Sequence, residues 1–94
     1  MRIFWASPAK ADLAAIYDFY RESAPDYAFT VTALAVRAAR MLAEQPRRGP
    51  VIGDSDHRKR RIAKTNHILI YRIEGERLRI SRVVHAAQDW QNFL

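Results

Sequence analysis

RRIAKTNHILIYRIEGERLRISRVVH, residues 60–85, is the stretch whose reading decides the fold. It holds three β segments separated by two short turns. Residues 60–64 form the first, and Thr65-Asn66 turns it into a nearly continuous apolar run, residues 67–73. Glu74-Gly75-Glu76 turns that run into an alternating segment, Arg77–His85. There Leu78, Ile80 and Val84 fall on one face and Arg79, Ser81, Val83 and His85 on the other, the period of a half-buried antiparallel strand. The middle run is apolar on both faces, as suits a central strand with hydrogen-bonded neighbours on both sides. A meander of this kind cannot bury its apolar face alone, so the preceding sequence has to cover it.

Two helices are predicted upstream. Ser7-Pro8 opens the first: serine at the N-cap accepts from free amide donors, and proline at the first helical position has no amide to satisfy. Leu13, Ile16, Tyr17 and Tyr20 then recur at helical spacing, and the helix should end near Ser23-Ala24. Ser23-Ala24-Pro25 repeats the opening signal. A second helix runs from about Asp26 to Glu44, with Ala28, Val31, Leu34, Ala35, Ala38, Met41 and Leu42 as its apolar stripe. The tyrosines and methionine of these helices are assigned to the core. So short a link makes the pair a helical hairpin.

The flanks complete the order. Residues 2–5, apolar and aromatic, make a strand that pairs with the meander. Gln45-Pro46 stops the second helix, and residues 46–59 cross to the sheet as an irregular loop. Residues 86–94 form a tail in which Trp90, Phe93 and Leu94 make one helical turn or dock on the body. The order β-α-α-β-β-β gives an α+β two-layer domain over residues 1–94. In it the hairpin lies on one face of a small antiparallel sheet, and the other face is left to basic groups.

Charge is unevenly placed along this chain of 94 residues with net charge +6. Residues 1–46 carry five basic and five acidic groups, whereas residues 47–94 carry eleven basic against five acidic, which is the whole excess. Such a half suits RNA, DNA or an acidic protein segment. With no cysteine there is neither a disulfide framework nor a thiolate site. No run approaches the roughly 18 apolar residues of a membrane span, so a soluble cytoplasmic protein is the expectation.

Little in the sequence points to an active site. His57, His67 and His85 are the only histidines and no two have metal-binding spacing, so no metal or cofactor is expected. Ser7 and Ser81 lack the context of an activated nucleophile, and three isolated glycines make no phosphate loop. Alternation splits Arg58-Lys59-Arg60-Arg61 between both faces of the sheet. Arg82, in phase with Leu78, Ile80 and Val84, must reach the sheet edge or meet a carboxylate, which Asp12 or Asp18 of the first helix is placed to supply.

Four segments together resemble bacterial ParE/RelE-superfamily toxins of type II toxin–antitoxin systems. They are Ser7-Pro8-Ala9-x-x-Asp12-Leu13-x-x-Ile16-x-x-Tyr20, the helix end Leu42-x-x-x-Pro46-x-x-Gly49, the strand Ile68-Leu69-Ile70-Tyr71-Arg72-Ile73, and Ile80-x-Arg82-Val83-Val84-His85-x-x-x-Asp89-Trp90. The superfamily holds two activities. RelE-like members cut mRNA on the ribosome by acid–base chemistry, and an arginine usually precedes their central strand where Ile68 stands here. The tail Ala86-Ala87-Gln88 also lacks their basic or tyrosine groups, so ParE-like members, known as inhibitors of DNA gyrase without established catalytic residues, fit better. The resemblance then implies no catalytic residue, gyrase as target, and a ParD-like antitoxin whose acidic C-terminal segment wraps the toxin. Operator DNA would be reached only through that antitoxin. The residues assigned to target or antitoxin are Arg58, Lys59, Arg60, Arg61, Arg72, Arg79, Arg82, Trp90 and Phe93. In the alternative, a ribosome-dependent nuclease, His85 and Arg82 would take part; a further alternative is a non-toxic member that only binds its antitoxin.

Overall fold

The computed structural model describes residues 1–88 and 90–93, with the side chains of Asn92 and Phe93 outside the described set. Its elements are β1 (Arg2–Trp5), α1 (Ser7–Tyr20), α2 (Pro25–Glu44), β2 (Arg58–Arg61), β3 (His67–Glu74), β4 (Arg77–His85) and a final 3-10 turn, Trp90–Phe93. The sheet order is β1-β4-β3-β2. β3 is antiparallel to β2 and β4, whereas β1 runs parallel to β4. The sheet is therefore mixed rather than wholly antiparallel. The crossover from β1 through the helices and β2–β3 brings the chain back in the same direction.

Helix boundaries depart from the sequence signals for local reasons. The α1 cap is Ala6, with no side-chain bond, and Ser7 is already helical. Ala6 cannot leave the sheet, because its N–H donates to the Ile80 carbonyl at 3.0 Å while its own carbonyl accepts from Lys10. The helix stops at Tyr20, short of Ser23, and Ala24 rather than Ser23 caps α2. In α2 the fully buried stripe is Ala28, Val31, Ala35, Ala39 and Leu42. Met41 is 52% and Tyr17 44% exposed, so neither is core. Alanines bring α2 close to its neighbours, and a longer side chain one position round the helix is left outside.

The first meander strand lies three residues earlier at its end than the sequence suggests. Ile62 is drawn fully into the core, and the turn spans residues 62–66. Thr65 Oγ1 donates to the Ile62 carbonyl at 2.8 Å and accepts from the His67 amide at 3.0 Å, while Lys64 takes φ 65°. A threonine hydroxyl bonding its own turn this way competes with a continued ladder.

A bulge in β4 resets its faces. Tyr71 pairs with Ile80 and Ile70 with Arg82, so Ser81 is an extra residue. Beyond it the alternation shifts by one. Leu78, Ile80 and Val83 join Leu69, Tyr71, Ile62 and the α2 alanines in the core under the helices. Val84 instead turns outward with Ile70, beneath Trp90 and against Ile52 and Ile68. His85 lies on the helix side opposite His67, not on the polar face. The outer face is thus half apolar and covered, and only its other half is basic.

Candidate functional site

The cations fall into three groups with different surroundings. Arg58 is a staple: its guanidinium donates to the Arg47 and Gly49 carbonyls at 3.2 and 2.8 Å, holding the loop against β2. Lys59 lies 4.9 Å from the centre of the Trp90 ring, so that pair closes the outer apolar patch. Arg61 donates to the Thr65 carbonyl and to Asn66, and so secures the turn. Arg60, half-buried and opposite Leu69, lies on the helix side of the sheet.

Arg60, Arg61, Ala63 and Lys64 are shared by two adjoining hollows that form one groove between α2 and β2. One, of about 730 Å³, continues to Tyr20 and Tyr27. The other, of about 310 Å³, has Leu34, Ala38, Met41 and Leu42 as its floor and Arg37 and Arg48 on its rim. β2 is the edge strand. Residues 50–51 pair with it only at Arg58 and Lys59. An apolar floor, a wall of five cations and a strand edge open at Arg60–Arg61 make a seat for an extended or helical acidic segment. Of the lining residues, sequence reading missed Arg37, Arg48 and Lys64, because they lie far apart in the chain and converge only when α2 packs beside β2. On the hairpin itself, Phe19 of α1 and Phe29 of α2 are 76% and 72% exposed, which the helical pattern did not single out.

Arg72 and Arg79 lie on the basic half of the outer face. Arg72 donates to Glu74 at 2.6 and 2.9 Å, and Arg77 joins the same carboxylate at 2.9 Å. The two guanidiniums, Arg72 foremost, hold the Glu74 carboxyl below its ordinary range. Trp90 is buried against Ile70 and Val84. The Phe93 side chain, assigned to a binding role, lies outside the described residues.

Arg82 meets Asp12, one of the two partners its position demanded. Its Nε and NH2 donate to the two carboxylate oxygens at 2.7 and 2.9 Å, and the Val83 amide adds a third bond at 2.9 Å. The geometry follows from β1 being short: it pairs with β4 only as far as Ile80, and Asp12 of α1 covers the edge that follows. The carboxylate hydrogen bonds raise the affinity of Arg82 for its proton.

Beside this pair, His67 and His85 stack edge to face with ring centres 5.2 Å apart, at a hollow of about 520 Å³ shared with Ile16, Phe19, Tyr20 and Gln88. His85 Nδ1 accepts from the Ala87 amide at 3.0 Å. His67 is 4% exposed, and its Nδ1 finds no hydrogen-bond partner among the described residues. Burial first, and then His85, lowers its pKa from 6.5. Between that lowered value and 6.5 the unfolded chain binds the proton and the folded chain does not. Stability should therefore fall as pH drops through 6.5, with the full loss present below the folded value. Urea unfolding at pH values on either side of that window should show this loss, and His67→Phe should reduce it; an unchanged pH dependence in the variant would place its origin elsewhere.

Among the described residues no group of three or more His, Cys, Asp or Glu side chains could hold a metal ion, and no helix is long and apolar enough to cross a membrane. The architecture is a small α+β domain, two helices on a four-stranded mixed sheet, with a basic-walled groove at its β2 edge. Over residues 3–90 the sequence matches the family described as the ParE toxin of type II toxin-antitoxin system, parDE, and the chain belongs to that family. A solved structure described as the chromosomal ParDE TA system from P. aeruginosa superposes with a TM-score of 0.79 at 24% identity, over 90% of this chain and 95% of that one. At that identity the likeness speaks for the fold. No curated protein sequence matches the chain.

Proposed function

We propose that this chain is a growth-inhibiting toxin that acts on DNA gyrase by binding, and that a ParD-like antitoxin neutralises it by laying an acidic, amphipathic segment in the groove between α2 and β2. The observation that carries the reading is the groove itself: Leu34, Ala38, Met41 and Leu42 under Arg37, Arg48, Arg60, Arg61 and Lys64. Apolar anchors give such a complex its lifetime, and surrounding charge speeds its formation. The residues that a nuclease would use support binding over chemistry. Arg82 is engaged by Asp12, and His85 Nδ1 by a backbone amide, so both have structural duties.

Induced expression should arrest growth of a susceptible bacterium, and co-expression of the antitoxin encoded beside it should restore growth. A soluble, folded chain that leaves growth unchanged would overturn the toxin reading. For the groove, Arg37→Glu with Arg60→Glu should slow antitoxin association about tenfold or more at low salt and flatten its salt dependence. Arg61 is left out of that variant, because reversing it would also break the turn it holds. Association kinetics unchanged at low salt would remove the antitoxin from this groove.

A further inference from the structure

The outer face of the sheet carries a second basic surface, on the side away from the groove. Register sets Arg2 beside Arg77 and Phe4 beside Arg79. The Arg77 and Arg79 guanidiniums lie 4.4 and 5.4 Å from the centre of the Phe4 ring. One strand further on, Arg72 stands directly opposite Arg79. Like charges facing one another across strands destabilise a sheet. Glu74 relieves part of this through Arg72 and Arg77, and Asp56 lies 3.5 Å from Arg72. Arg2 and Arg79 meet no carboxylate among the described residues. An anion from outside would relieve the repulsion that remains.

The surroundings choose among anions. A peptide needs apolar pockets beside the charges; here the apolar half of the face is already covered by Trp90 and Ile52. Single-stranded nucleic acid needs open aromatic faces on which bases stack, whereas two guanidiniums crowd the ring of Phe4. A row of arginines on one sheet face, Arg2 exposed and Arg77 and Arg79 half-buried, suits a rigid, regular row of phosphates. The backbone positions of Arg77 and Arg79 are one strand repeat apart, about 6.8 Å, which is of the order of the separation between neighbouring phosphates on one DNA strand.

We propose that the face of Arg2, Phe4, Arg77 and Arg79 binds the phosphate backbone of duplex DNA without reading its bases. DNA is then contacted by the toxin directly, beside whatever contact an antitoxin makes. Because this face and the groove lie on opposite sides of the sheet, a partner in the groove leaves it accessible.

The test uses the full chain and a fluorescent mixed-sequence duplex of about 20 base pairs, with anisotropy read from about 50 to about 200 mM salt. Binding should weaken steeply with salt. Arg2→Gln with Arg79→Gln should weaken it tenfold or more at the low end and reduce the log–log salt slope by about 2. Arg37→Gln with Arg60→Gln removes the same charge from the groove and should leave the slope unchanged. Both variants should stay folded, as read by thermal melting: Arg2 and Arg37 are exposed, and Arg60 and Arg79, half-buried, meet no carboxylate among the described residues. No binding by the parent chain, or equal loss of slope in both variants, would overturn the proposal. So would tighter binding, through Arg2 and Arg79, of polyglutamate or single-stranded RNA of matched length. The assay contains neither gyrase nor antitoxin, so its failure leaves the toxin reading standing, and the reverse holds too.

Discussion

Replacing Asp12 with alanine should lower stability by about 2–3 kcal/mol, a fall in Tm of roughly 10–20 °C for a domain of this size. Three donors lose their acceptor at once: Nε and NH2 of Arg82 and the Val83 amide. The Arg82 and Asp12 side chains are 28% and 17% exposed. Water therefore replaces part of what is lost, and the effect stays below the roughly 3–5 kcal/mol of breaking a fully buried pair. The loss should be strongly non-additive. With Arg82→Ala also present, Asp12→Ala should cost only the Val83 amide bond, so the double variant should be little worse than either single one. Urea unfolding of the four proteins of that cycle gives the coupling directly. Additive losses, or a single-variant loss under about 0.5 kcal/mol, would show that the pair is a surface contact of no structural consequence.

Gly49→Ala should be as damaging, at about 2–4 kcal/mol, although it adds one methyl group. Gly49 is not needed for its backbone angles; it is needed for space. A Cβ there would stand inside contact distance of the Lys59 carbonyl oxygen and 2.5 Å from the Tyr71 hydroxyl. Tyr71 is fully buried, and its hydroxyl accepts from the Gly49 amide at 3.0 Å and donates to the Pro46 carbonyl at 2.8 Å. Burial pushes its pKa upward, so the phenol stays protonated and able to donate. Neither neighbour yields cheaply, since one is strand backbone and the other a core ring. Tyr71→Phe in the Gly49→Ala background should recover only part of the loss, because the Lys59 carbonyl remains. Full stability in Gly49→Ala, read by thermal melting, would show that the loop can move off the sheet.

The sequence carried local pattern well and geometry between elements poorly. Period and punctuation placed both helices and all four strands, because proline, glycine and apolar spacing act over a few residues. The Ser81 bulge was invisible: a strand with an inserted residue keeps its composition, and only the partner strand shows that Ile70 faces Arg82. Val83, Val84 and His85 were assigned to the wrong faces for that one reason. Arg82 nevertheless pointed to Asp12, since an arginine among apolar residues demands a carboxylate whatever the local phase. The spacing of Pro46 and Gly49 was legible as a pattern, whereas its cause, the hydroxyl of Tyr71, lies in a distant strand. The groove was the least legible feature. Arg37, Arg48 and Lys64 come from a helix, a loop and a turn, and no window along the chain brings them together.

The claim most exposed to test is that the chain inhibits gyrase by binding. Purified gyrase should be assayed for supercoiling and for trapped cleaved DNA, with and without this protein, and again after addition of its antitoxin. Supercoiling should be lost at near-stoichiometric toxin, cleaved DNA should accumulate, and the antitoxin should reverse both. Unimpaired supercoiling in the presence of excess folded chain would contradict it, and would direct the search for the target to the ribosome.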